Sequence, residues 1–164
     1  MNTQILLMIL FFSMSCFAEK VKVSFGADCE KMLNSVIAKS REEVRVAVYA
    51  FTRRSIAKSL VEAKKRGVQV RVLVDASQSR NAHQKKILTR LRQARIPVRI
   101  IQLGKWSSMH HKFIIVDDRR VATGSFNYTS SASTRHAENL LVVFSEAVAK
   151  KYGEEWQRLW ALKT

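Results

Sequence analysis

Residues 109–130, MHHKFIIVDDRRVATGSFNYTS, hold the densest set of chemically capable side chains: two adjacent histidines, a lysine, two aspartates and a Gly-Ser-x-Asn. Residues two apart on a strand project to the same face. His110 and Lys112 therefore point together, while His111 and Phe113 point the other way. Gly124 permits a tight exit from the following strand, so Ser125 and Asn127 present polar groups near the same end. An imidazole beside a lysine and an amide suits attack on a phosphodiester. The imidazole acts as nucleophile or acid–base group, and Lys112 and Asn127 hold the nonbridging oxygens as charge builds on them. Glu138 is expected to accept a hydrogen bond from the far nitrogen of the imidazole, fixing its tautomer. A competing metal set exists in His110, His111, Asp117, Asp118 and His136. Lys112 inside it and Arg119-Arg120 beside it oppose a divalent cation and favour a phosphate.

The elements that position this cluster follow from periodicity. Val21 to Phe25 predicts a first strand. Asp28 is the expected N-cap of a helix burying Met32, Leu33, Val36 and Ile37. Val44 to Phe51 is short and largely apolar, as a buried strand should be. Ile56, Leu60 and Ala63 recur at helical spacing, with Gly67 as a C-terminal cap. A strand ending at Asp75, a helix near His83 to Ala94 and a strand from Pro97 to Leu103 come next. The proline places that strand near an edge, because it lacks an N–H. Lys112–Val116, Val121–Thr123 and Leu140–Phe144 complete the sheet, and a helix from about Ser145 carries Trp156, Leu159 and Trp160. Only Pro97 represents proline in the whole chain, and no Gly/Pro-rich linker divides residues 19–164. The expectation is one α/β domain with a mixed, mainly parallel sheet covered by helices on both faces.

Twenty-nine Lys and Arg against thirteen Asp and Glu give a formal charge of +16, a surplus that speaks of partners rather than fold. Nucleic acid is the leading polyanion and an anionic membrane the second. The apolar run Ile5 to Ala18 suits the core of a cleavable signal peptide over residues 1–18 and is short for a membrane span. No Lys or Arg precedes it, which keeps an uncleaved anchor open as the alternative. Cleavage after Ala18 would leave Cys29 as the single cysteine, so no disulfide could form within the chain.

His110-x-Lys112, then Asp117 after four residues, then Gly124-Ser125-x-Asn127 and Glu138 resemble the HKD motif of the phospholipase D superfamily. The resemblance runs through VAVYAFT (46–52) and AKKRGV (63–68) to Asp75, covering nearly all of residues 19–164. It leans toward the small single-motif bacterial endonucleases of that family, which are exported and act as homodimers. It implies that His110 forms a phosphohistidine or protonates the leaving oxygen. By the same resemblance Lys112 and Asn127 bind phosphate with Ser125 close by, Asp117 supports the architecture of the site, and Glu138 orients the histidine. No metal or other cofactor is implied. Larger members carry two motifs per chain, and a single motif calls for a homodimer that sets two copies across a two-fold axis.

Other residues are expected to be bland. His111 should be a packed or surface residue, Trp156, Trp160 and Cys29 should be core, and Asp118-Arg119-Arg120 should form a turn. Neither His83 nor His136 is given a role. Trp106 and Tyr128 flank the motif as candidates for base stacking. The leading expectation is a periplasmic or secreted, metal-independent, non-specific endonuclease for DNA, with RNA as a second substrate. The alternatives are a phospholipase D-type lipid hydrolase or transferase and a basic nucleic-acid-binding module. No stable membrane insertion is expected once the signal is removed.

Overall fold

The computed structural model describes residues 20–162; the expected signal segment, residues 1–18, lies outside the described residues. The elements run β1 (Lys20–Phe25), α1 (Asp28–Ala38), β2 (Glu43–Val48), α2 (Arg54–Lys65), β3 (Gln69–Asp75) and α3 (Ala82–Gln93). Then follow β4 (Val98–Ile101), β5 (Lys112–Val116), β6 (Arg120–Gly124), α4 (Ser130–Thr134), β7 (Asn139–Phe144) and α5 (Glu146–Trp160). One sheet contains all seven strands in the order β1-β7-β6-β5-β2-β3-β4.

Alternation along the strands divides the core into two layers. Val44, Val46 and Val48 of β2 and Val70, Val72 and Val74 of β3 join the layer formed with α1, α2 and α3. Ala47, Leu73, Phe113 and Ile115 point to the opposite face and pack under Ala149, Trp156 and Leu159 of α5. Trp156 also donates its indole N–H to the Val46 carbonyl at 2.9 Å, which fastens α5 to the middle of the sheet.

The mixed sheet with helices on both faces is as expected, but the emphasis on parallel pairing needs correction. Among the described strands, only β2–β3 and β3–β4 pair in parallel. The pairs β1–β7, β7–β6, β6–β5 and β5–β2 are antiparallel. A parallel pair needs a helical crossover, which α2 and α3 supply, whereas β5 and β6 are joined by a tight turn. That turn carries Asp117 and Asp118 at φ 55° and 50°. Strand β4 lies at the sheet edge, as Pro97 implied. Asp28 is the first residue of α1 rather than its cap, since Ala27 occupies that position without a side-chain hydrogen bond. The strand expected to reach Phe51 stops at Val48. Beyond it, Phe51 bridges to Tyr128 and its N–H donates to Gln84 Oε1 at 2.7 Å. The short helix α4 carries no hydrophobic stripe long enough to announce it.

Helix α5 covers only part of its face of the sheet. On β1, Val21, Val23 and Phe25 turn their side chains to that face and remain 48%, 54% and 70% exposed.

Candidate active site

His110 sits just ahead of β5 and Lys112 begins it, so the end of the strand holds both side chains. Lys112 Nζ stands 3.0 Å from His110 Nδ1 and 3.3 Å from Nε2, and donates to the His110 carbonyl at 2.8 Å. Two residues fix this arrangement that the sequence did not single out. Tyr49, just past β2, packs its ring against the imidazole with centroids 4.5 Å apart. Asp75, at the end of β3, is buried and accepts the backbone N–H of Met109 at 2.7 Å. The available signal was their position: ligand sites of open α/β sheets gather at the carboxyl ends of parallel strands, where both residues stand.

The local electrostatics favour a neutral imidazole. Burial, and then the Lys112 charge, hold His110 below the ordinary histidine value. Burial likewise lowers Lys112, partly offset by Glu138. A neutral imidazole keeps a lone pair for attack, and its cationic neighbour is aimed at any anion that approaches.

His111 faces the other way, as strand alternation requires. Its Nε2 lies 3.1 Å from Glu155 Oε1, and its ring packs beside Phe113. Ser125 follows the exit of β6 and donates to the Glu138 carboxylate. Close approach explains the glycine before it: a Cβ on Gly124 would collide with the Asn139 carbonyl oxygen. The buried Oδ1 of Asn127 has no hydrogen-bond partner among the described residues. Such an amide costs free energy unless something else satisfies it.

Glu138 requires a correction. Its carboxylate receives Ser125 Oγ and lies 3.9 Å from His136 Nδ1, and within the described residues no hydrogen bond joins it to His110. Within the chain, the side chain nearest the His110 ring nitrogens is Lys112. Asp117 closes the far end of β5, about 16 Å from Lys112 at the usual rise per strand residue. It accepts the backbone N–H groups of Arg41, Glu42 and Glu43 and pairs with Arg120. Burial alone would raise its carboxyl, but those three donors and Arg120 outweigh burial and hold it below the ordinary value.

The metal set named from sequence is therefore dispersed. Asp117 and Asp118 lie at the opposite end of β5 from the histidines, and Asp118 pairs with Arg45. Among the described residues no group of three or more His, Cys, Asp or Glu side chains is placed to hold a metal ion. Of the two stacking candidates, Tyr128 is fully buried and Trp106 is 89% exposed. Trp156 and Cys29 are core, and Trp160 stacks on Trp156 at 4.7 Å.

The family described as "Cardiolipin synthase, PLD-like domain" matches residues 33–160. The chain belongs to this phospholipase D-like family. Among solved structures, the phospholipase D family member Nuc from Salmonella typhimurium superimposes on this phospholipase D-like domain with a TM-score of 0.83. It is 32% identical, over 87% of this chain and 95% of that one. NucT from Helicobacter pylori gives a TM-score of 0.75 at 26% identity, over 87% of this chain and 96% of that one. A protein named phospholipase D from Rickettsia conorii is 35% identical over 130 residues, which is 79% of this chain and 63% of that protein. The phospholipase D-like domain thus spans less than two thirds of the length of that relative.

Proposed function

We propose that this protein is a metal-independent phosphodiesterase acting on nucleic acid as an endonuclease through a covalent phosphohistidine. The observation that carries the reading is the pairing of a low-pKa His110 with Lys112 Nζ at 3.0 Å, beside an Asn127 amide oxygen that lacks a partner. In the first step a ring nitrogen of His110 attacks phosphorus and the ester P–O bond breaks. The leaving oxygen takes a proton from a second, protonated imidazole. That imidazole then removes a proton from water, the water oxygen attacks phosphorus, and the P–N bond breaks to regenerate His110. Lys112 and the Asn127 amide hold the nonbridging oxygens throughout. Asp117 supports the fold of the motif, and Glu138 with Ser125 frames the phosphate side.

The second imidazole is His110 of the partner subunit in a homodimer, because the chain carries one such motif and the two steps need two imidazoles. The apolar strip of Val21, Val23 and Phe25 supports this reading, since it gives a second copy a dry surface on which to seat. Phe25 pairs with Asn139, next to Glu138, so one end of that strip lies at the same end of the sheet as the site. The net charge of +16 favours nucleic acid over a neutral lipid surface. A lipid phosphodiester is the second reading, favoured by the name phospholipase D that the Rickettsia relative carries. A periplasmic or secreted setting is part of the proposal, through the signal-like residues 1–18. No helix among the described residues is long and apolar enough to cross a membrane.

The test incubates purified protein in millimolar EDTA with plasmid DNA and, separately, with phosphatidylcholine vesicles. Nicking of the plasmid is expected and release of choline is not. Loss of all cleavage in EDTA, restored by one divalent ion, would overturn the covalent-histidine reading.

A further inference from the structure

The loop from β4 to β5 displays Trp106 at 89% exposure, so its ring is open to a flat ligand. The loop is held by specific contacts. Gln102 Nε2 donates to the Gly104 carbonyl at 2.8 Å, Gly104 bridges to Ser107, and Met109 N–H is gripped by Asp75. Lys105 Nζ lies 5.2 Å from the centre of the Trp106 ring. Across from the ring, the single turn of Ser77–Arg80 forms the second wall of a groove of about 560 Å³ that includes Arg80, Lys105 and Trp106. The groove adjoins the reacting centre through one side chain. Tyr49 OH accepts from Gln78 Nε2 at 2.8 Å on the groove side, while the Tyr49 ring packs on His110.

We infer that Trp106, with Lys105 and Arg80, is a stacking subsite for an unpaired nucleobase next to the scissile phosphate, so the preferred substrate is single-stranded nucleic acid. The inference rests on the phosphodiesterase reading above and deepens it. A free aromatic face stacks any base, and flanking cations take the phosphates on either side, which is how single strands are held without regard to sequence. Bases paired in a duplex have both faces covered and offer the ring nothing. The groove is lined with serines, glutamine and charges, and that polarity favours a nucleotide over an acyl chain.

The experiment compares wild type with Trp106→Ala and Trp106→Phe on three probes. These are a thymidine oligonucleotide, bis(p-nitrophenyl) phosphate, and vesicles containing anionic phosphatidylglycerol. Stacking on one base predicts that Trp106→Ala raises KM for the oligonucleotide about tenfold. Trp106→Phe should recover most of that loss, and turnover of the small diester should not change. Binding is read independently in His110→Ala, where the oligonucleotide should quench the emission of exposed Trp106 while the buried Trp156 is unaffected. The quench should vanish in the doubly substituted chain. If wild type leaves the small diester intact but the quench remains, the catalytic reading fails and the subsite stands. An unchanged oligonucleotide KM in Trp106→Ala, with normal small-diester turnover, overturns the subsite. So does a Trp106→Ala variant that loses vesicle binding and keeps oligonucleotide binding, because the loop would then be a membrane contact. Equal loss on both soluble substrates overturns it too, by making Trp106 part of the reacting centre.

Discussion

The two ends of β5 carry the two halves of one motif and are built on opposite principles. At the Asp117 end every lone pair is used: three backbone N–H groups and Arg120 converge on a carboxylate that is 7% exposed. At the Lys112 end a cation leans on a neutral imidazole, and the buried Asn127 oxygen has no partner. The saturated end can gain nothing from a ligand and serves to tie the β5–β6 turn to the segment entering β2. The unsaturated end stores the interactions that a substrate would complete. One short strand thus separates the group that holds the fold from the groups that await a phosphate.

The largest expected effect tests that separation at the open end. His110→Ala should lower DNA cleavage by roughly a thousandfold or more while leaving the melting temperature and DNA binding unchanged. Proportional loss of binding would make His110 a structural residue. At the closed end the outcome should reverse. Asp117→Ala removes the acceptor of three backbone donors and the partner of Arg120, and should cost about 3 kcal/mol in chemical denaturation. Its folded fraction should still cleave, and a stable but inactive Asp117→Ala would dissolve the contrast between the two ends.

Gly124→Ala is expected to fall between the two ends. Its Cβ would meet the Asn139 carbonyl, which should destabilise by roughly 1–3 kcal/mol and shift Ser125 and Asn127 together. Kinetics should show a fall in activity beyond the loss of folded protein. A smaller effect concerns the shared site. When wild-type and His110→Ala chains are unfolded in equal amounts and refolded together, random pairing leaves about one quarter of the activity if both imidazoles are needed. A remainder of about one half would show that each chain works alone.

The smallest effects are proton equilibria. Because the Asp117 carboxyl is lowered on folding, the stability it contributes is complete above its ordinary value of 3.8 and is lost as pH falls below that toward its folded value. A thermal melt series over that acid window should be flatter for Asp117→Asn than for wild type. His110 should titrate by NMR below 6.5, and Lys112→Met should move the midpoint up by removing one of the charges that depress it. An unmoved midpoint would remove Lys112 from the causes of the shift.

Hydrophobic periodicity made most of the fold legible, because buried strands such as VRVAV and helices such as that carrying Ile87, Leu88 and Leu91 must repeat their apolar residues to reach a core. The same logic separated His110 from His111 correctly. What stayed hidden lies in tertiary pairing. Nothing local announces that Tyr49 and Asp75, distant in sequence, meet at His110, or that Glu138 turns to Ser125 within the chain. Pair direction was also invisible, since alternation reads the same in parallel and antiparallel neighbours. Tyr128 and Trp106 show the limit of composition: both flank the motif, yet only burial in three dimensions tells the packed ring from the displayed one.

Strand β1 lies at the sheet edge against β7, with Lys20 opposite Phe144. A chain growing from its N-terminus therefore makes β1 first and gives it a neighbour almost last. Closing so long a loop is slow, and sequence-distant pairing of this kind governs folding rates more than stability. During that interval Val21, Val23 and Phe25 stand on an unpaired edge, the arrangement most prone to join another chain. Refolding yield should accordingly fall as protein concentration rises, and the order of synthesis becomes a hazard that the folding conditions have to manage.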